Sequence, residues 1–372
     1  MAEVILAGCR TYSRTDIAAS LDDALDCCIG DRAGEIAGKR VLVKPNLLAA
    51  REPARGITTH PAVVGGVIDY FNRLGARISV GDSPAGAVRG VRRVWERSGM
   101  LEVCGARGVP LVNFEAGGSV VMHVDTRTYQ ISRAVIDADL VVNVAKFKTH
   151  VLTLLTGAIK NMFGCVPGFR KSALHLSYPR PDAMSRALVD IFSLVPPWVS
   201  VVDAVVAMDG NGPSSGRLRD LGFLAVGRDC VALDAALALV AGIDPARVPT
   251  TLEAYRRGLG EISPERIGFP RLKPEDLAPG DFKVPSNWKY SLIPGVVGGL
   301  VSRLVWIKPV INREACTGCG ACADVCPAGA IEMAGGKAEV REKACVSCLC
   351  CHEACPAGAV GTRRSLLAGM IS

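Results

Sequence analysis

Aromatic residues are scarce, at 5% of the 372-residue chain. A groove for single-stranded nucleic acid needs rings on which bases stack, so this class is disfavoured. Runs of one charge sign are missing too: 43 basic and 36 acidic side chains leave a net +7 without any block of five like charges. That excess is too mild and too dispersed for a nucleic-acid footprint. Neither G-x-G-x-x-G nor G-x-x-x-x-G-K-[ST] occurs, and H-E-x-x-H and G-x-S-x-G are also absent. Their absence argues against NAD or ATP held in the usual way and leaves room for a flavin or a second metal bound otherwise. The first fourteen residues carry Glu3 and no apolar core, so a secretory signal is not expected and a cytoplasmic location is.

What is present is a globular composition, 49% hydrophobic and 21% charged, long enough for two domains. Over residues 1–285, short apolar runs at 41–43, 78–80, 109–114, 140–144 and 199–206 read as strands. Helical spacing links them at 15–28 (with Thr15 as N-cap), 61–75, 89–103, 184–194 and 229–241. This alternation predicts an α/β domain with a mainly parallel sheet and helices on both faces, with ligands bound beyond the strand ends. Residues 286–311 read as a linker. Its apolar stretch, 290–307, contains Pro294, Gly295, Gly298, Gly299 and Arg303, so packing between domains is expected rather than a membrane span, with surface contact to a membrane the lesser alternative. A small domain follows at 312–362, then a tail at 363–372.

Fifteen cysteines in such a chain point to metal or redox chemistry rather than a disulfide scaffold. Nine fall between 312 and 360. Cys316, Cys319, Cys322 and Cys326-Pro327 recur 29 residues later as Cys345, Cys348, Cys351 and Cys355-Pro356. Three closely spaced thiolates wrap one cubane and the fourth reaches the other. One set is therefore Cys316, Cys319, Cys322 and Cys355, and the second is Cys345, Cys348, Cys351 and Cys326. Thiolate sulfur suits iron–sulfur clusters; zinc on the same cysteines is the alternative. Cys350 is expected to be a bystander. The repeat resembles bacterial-type two-cluster ferredoxins. The resemblance implies a small α+β domain with two [4Fe-4S] clusters that passes electrons and meets a redox partner protein.

In the large domain the chemistry-bearing residues concentrate in one stretch: Lys146, Lys148, His150, Lys160, Asn161 and His175. Converging lysines bind an anion, or lower one another's pKa until one serves as base or nucleophile; a solvated basic loop is the plainer alternative. Lys44, Asn46, His60, Asp82, Ser83 and Asp209 follow predicted strands or start helices and are candidate substrate contacts. His60 is equally a helix cap, and Asp82 and Asp209 equally turn formers. Cys165 reads as a buried thiol or a reactive one.

The strings Val-Lys44-Pro45-Asn46-Leu, Thr59-His60-Pro61, Gly81-Asp82-Ser83-Pro84, Lys146-Phe-Lys148-Thr-His150 and Gly-Ala-Ile-Lys160-Asn161-Met-Phe-Gly164 resemble, in order over residues 2–285, the uncharacterised family known as domain of unknown function 362. Members are often fused to a two-cluster ferredoxin domain. Gly157-Ala-Ile-Lys160 with Pro167-Gly168 and His175 is also similar to a stretch of nickel-pincer lactate racemases, departing from it at Phe163-Gly164-Cys165. There a lysine at the position of Lys160 would hold a pincer cofactor, and His175 would be a base. The combined reading is a ferredoxin-dependent reductase of a small anionic molecule, with Lys146, Lys148 and Lys160 on the anion and His150 or His175 delivering a proton. The alternatives are a non-catalytic electron-transfer adaptor and a redox-neutral racemase or isomerase with the clusters as sensor.

Overall fold

The computed structural model describes residues 1–84, 90–168, 170–178, 180–285 and 307–365. The expected linker core and tail, 286–306 and 366–372, lie outside the described residues, so the reading of 290–307 has almost no structural counterpart.

The chain begins with β1 (Ala2–Gly8), α1 (Arg14–Ile29), β2 (Arg40–Pro45), α2 (Pro61–Arg73) and β3 (Arg77–Asp82). Next come α3 (Val91–Arg97), α4 (Met100–Gly105), β4 (Leu111–Asn113), a hairpin of β5 (Ser119–Val124) and β6 (Arg127–Ser132), and α5 (Arg133–Ile136). β7 (Leu140–His150), β8 (Leu154–Thr156), α6 (Ala158–Asn161), α7 (Arg170–Ser177) and α8 (Pro181–Leu194) follow. The domain closes with β9 (Val199–Asp209), β10 (Arg217–Gly227), α9 (Cys230–Val240), α10 (Pro249–Arg256), β11 (Ile267–Gly268) and α11 (Pro274–Leu277).

The main sheet runs β11-β1-β10-β9-β7-β2-β3-β4, with β8 hooked onto β7. The pairs β9–β7, β7–β2, β2–β3, β3–β4 and β1–β11 are parallel, while β10 runs antiparallel between β9 and β1. Strand side chains alternate between two cores. Val4 and Leu6 face the layer of α6, α8 and α9, whereas Ile5 and Ala7 face α1 and α2. Helices therefore cover both faces, as the sequence pattern predicts, and β7 and β9 are buried because apolar layers cover both of their sides.

Three local expectations shift. The first helix is capped by Ser13, whose hydroxyl accepts from Asp16 N, rather than by Thr15. The helix expected at 89–103 is two, broken where Gly99 adopts φ 75°. β7 extends through His150, so Lys146, Lys148 and His150 are strand residues and not a loop beyond its end.

The C-terminal unit pairs β12 (Ile307–Ile311) with β15 (Val360–Arg364), and β13 (Ile331–Ala334) with β14 (Lys337–Val340). Two one-turn helices, α12 (Ala321–Asp324) and α13 (Cys350–Ala354), each follow a cysteine loop.

Candidate redox centre and the cavity beside it

The parallel strands β2, β3, β7 and β9 end on one side of the sheet, and their last residues build the site. Lys44 is the penultimate residue of β2 and Asp82 closes β3. Both are buried and pair at 2.8 Å, and Asp82 also accepts from Leu47 N at 2.8 Å. Gly164 lies against this pair. A Cβ there would collide with the Asp82 carboxylate and the Lys44 ammonium, so only glycine allows the approach.

Three amides staple the next layer. Asn46 Nδ2 donates to Asn161 Oδ1 at 3.0 Å and Asn161 Nδ2 to Asn143 Oδ1 at 2.7 Å. Asn143 Nδ2 donates to Ala158 O and Ser200 Oγ, each at 3.0 Å. The helix α6, only four residues long, is held from the far side by Asp234 of α9, which accepts from Ala158 N at 2.6 Å and Ile159 N at 3.1 Å. Lys160 and Asn161 are thereby set at the strand ends.

A cavity of about 80 Å³ opens here. Its wall includes Lys44, Asn46, Asp82, Ser83, Glu115, Lys160, Asn161, Phe163, Lys171 and His175 from the large domain. Val325, Cys350 and Glu353 of the C-terminal unit complete it. Lys171 Nζ donates to Ser83 Oγ at 2.9 Å, and that hydroxyl also faces Glu115 Oε1 at 3.2 Å. Burial pushes the Lys171 ammonium down to about 8, with Asp82 and Glu115 opposing. Burial also lowers Lys160, against the pull of Glu353, and Lys160 makes no hydrogen bond or ion pair with any described residue. His175 sits edge-on to Phe163, with ring centroids 5.7 Å apart, and burial pushes it down to about 4.

Of the five residues expected to be catalytic, only Lys160 and His175 line the cavity. Lys146 is spent on Asp203 at 2.8 Å and Tyr12 Oη at 2.9 Å. Lys148 donates to Asn46 Oδ1 at 2.8 Å and Ile57 O at 2.6 Å, so it reaches the cavity through Asn46; burial and then Lys160 push it down to about 7. His150 Nδ1 accepts from Leu152 N and Thr153 N, so the proton sits on Nε2, which donates to Glu353 Oε1 at 2.8 Å. Burial pushes this imidazole down to about 3 and keeps it neutral. Glu353 itself is raised by burial but pulled below the carboxylate range overall by Lys160, His150 and His175.

Of the residues expected to contact substrate, Lys44, Asn46, Asp82, Ser83 and Asn161 line the cavity. Two others do not. His60 caps α2 through Nδ1 and stacks on Tyr12 with centroids 3.6 Å apart. Asp209 is clasped by Arg217 at 2.8 Å and Arg219 at 2.9 Å, and both arginines also hold Asp281. Cys165 is a fully buried thiol behind Lys44, raised by burial to about 12. Sequence reading missed Glu115 and Glu353. Glu353 hides between two cysteines of the repeat.

The cysteines stand around two hollows. One is lined by Cys316, Cys319, Cys322 and Cys355, the other by Cys326, Cys345, Cys348 and Cys351 together with Cys350. Each hollow gathers three cysteines of one repeat and the fourth cysteine of the other. Backbone N–H groups already point at sulfur: Ala330 N to Cys326 at 3.2 Å and Ala359 N to Cys355 at 3.2 Å. Among the described residues no three His, Cys, Asp or Glu side chains close on a single ion. Four thiolates spread around a hollow fit a [4Fe-4S] cluster better than one zinc.

The comparisons agree with this division. The family model "Domain of unknown function (DUF362)" matches residues 41–238, and a 4Fe-4S binding domain matches 309–332, the first of the two cysteine repeats. A thylakoid-associated protein of Synechocystis sp. is 34% identical over 284 residues, 76% of this chain and 87% of that protein. The chain belongs to the DUF362 family and carries a 4Fe-4S binding domain. Among solved structures, the lactate racemase apoprotein of Thermoanaerobacterium thermosaccharolyticum aligns with TM-score 0.43 and 16% identity over 64% of this chain and 57% of that one. A Thermotoga maritima protein aligns with TM-score 0.38 and 13% identity over 64% and 61%. This chain thus spans less than two thirds of either.

Proposed function

We propose that the chain is an iron–sulfur oxidoreductase in which two [4Fe-4S] clusters feed single electrons to a small anion held in the Lys160–His175 cavity. One observation carries this reading. Cys350, between Cys348 and Cys351, and Val325, next to Cys326, form part of the same wall as Lys160 and His175. Adjacent Cα atoms are about 3.8 Å apart, so the second hollow's ligands begin one residue behind the substrate wall. A bound cluster supplies one-electron transfer there.

The chain's own residues do the rest. Lys160, whose ammonium has no hydrogen-bond or ion-pair partner among the described residues, holds the anion and stabilises negative charge as it develops. The imidazoles of His150 and His175 are neutral near pH 7, so a proton comes more readily from a lysine lowered toward neutrality than from either histidine. Lys148, hydrogen-bonded to Asn46 at the wall, is placed to replace it. Lys160 and His175 line a cavity rather than a flat basic face, which favours an enzyme over an adaptor. Electrons come from a low-potential redox partner protein. A reducing, cytoplasm-like compartment fits a chain that uses its cysteines for iron–sulfur ligation rather than for a disulfide scaffold. Among the described residues no helix is long and apolar enough to cross a membrane.

The test is anaerobic purification with iron, sulfide and full metal analysis, followed by stopped-flow mixing of dithionite-reduced protein with small carboxylates and oxyanions. About eight irons per chain and saturable reoxidation by one anion class, abolished in Lys160→Ala, are expected. Reoxidation of the variant at the wild-type rate would sink the reading.

A further inference from the structure

Arg51 lies on the loop after β2, and its guanidinium is buried against the C-terminal unit. Nη1 donates to Pro356 O and Nη2 to Cys355 O, while Nε is buried without a partner. No carboxylate pairs with it among the described residues. Apart from the repulsive Arg55, the charges it faces are the thiolates of Cys355 and Cys319, both ligands of the first set. A buried cation without a counter-ion costs several kcal/mol, so a partner is implied. The anionic thiolates of Cys316, Cys319, Cys322 and Cys355 around a cluster supply it. The second set lies in different company. There the buried carboxylate of Glu353 faces Cys348, Lys160 offsets that charge, and Lys308, which faces Cys345, is itself paired with Glu342 at 3.2 Å.

A positive charge next to a cluster favours whichever oxidation state is more negative, the reduced one. An arginine is always charged, so this bias does not vary with pH. We propose that Arg51 is the large domain's counter-cation for the first cluster and sets the order of the two potentials. The first cluster is the easier to reduce and holds the first electron, and the second, against the cavity wall, is reduced at lower potential. This ordering rests on two clusters being present and is independent of what the cavity binds.

The experiment is an EPR-monitored redox titration of the anaerobic holoprotein after iron analysis. Cys319→Ser identifies the first cluster by moving its signal. Two midpoints are expected, the higher one belonging to the cluster that Cys319→Ser perturbs. Equal midpoints, the reverse assignment, or only four irons per chain would each overturn the proposal on wild-type protein alone. Arg51→Gln is expected to lower the first cluster's midpoint while leaving the second in place. A tenfold loss of electron affinity reads as about 59 mV for one electron. An unchanged first midpoint in a fully loaded Arg51→Gln protein also overturns it. Arg51→Lys, which keeps the charge but not the two-pronged grip on the carbonyls, is expected to fall between.

Discussion

At the scale of single residues, the site depends on charges that have few alternatives. Lys44 and Asp82 are buried together, with the backbone of Gly164 packed directly against their charged ends. Removing one partner strands the other. Lys44→Met is expected to destabilise the protein by about 3–5 kcal/mol, with Lys44→Met/Asp82→Leu recovering much of it, as urea denaturation of both variants will report. His175 gives a pH signature. Its folded pKa of about 4 lies below the ordinary 6.5 because burial disfavours the cation. The unfolded chain therefore binds the extra proton first as pH falls. The stability tied to a neutral His175 is complete above about pH 6.5 and is lost progressively toward pH 4. His175→Gln should flatten the stability–pH curve over that window by about 1.4 kcal/mol per pH unit. A variant curve parallel to wild type would show that the imidazole is protonated when folded.

Elements decide which of these residues meet. The stretch from Lys146 to His150 looks like a basic loop because charges usually follow a strand. Period-two spacing was nevertheless legible there, and it puts Lys146, Lys148 and His150 on one side of a strand. What the spacing cannot reveal is the partner of each. Asp203 lies 57 residues beyond Lys146, and Glu353 lies 203 beyond His150. Asp209 was misplaced for a similar reason: Arg217 and Arg219 meet it only because β10 returns antiparallel beside β9. The helix α6 is too short to stand alone and takes its position from Asp234, inside α9, which no local sequence pattern links to it. Asp234→Ala should therefore cost about 1–3 kcal/mol through two unsatisfied backbone donors. It should also impair anion binding at Lys160 as strongly as a direct substitution would. Calorimetric titration and thermal melts of the same variant separate the two effects.

For the whole molecule, the two halves were legible separately and their junction was not. The cysteine repeat was legible because its spacing is the one that wraps iron–sulfur clusters, and each hollow gathers cysteines of both copies. The docking of that unit onto the strand ends depends on Arg51, His150 and Lys160 meeting Cys355, Pro356 and Glu353, contacts without any sequence periodicity. Glu353 accepts from the neutral His150 across the interface and faces the Lys160 charge, so its loss leaves a buried N–H without an acceptor and Lys160 without a facing carboxylate. Glu353→Ala is expected to weaken docking by about 1–3 kcal/mol, the cost of leaving the buried His150 N–H without an acceptor. Glu353→Gln should be milder because the amide oxygen still accepts from His150 Nε2. Hydrogen exchange on the anaerobic holoprotein checks this. Protection should fall together in the segments around residues 150–165 and 345–360 while the helices α1 and α2 stay protected. Loss confined to the C-terminal segment would mean that Glu353 stabilises its own unit and that the cavity closes without it.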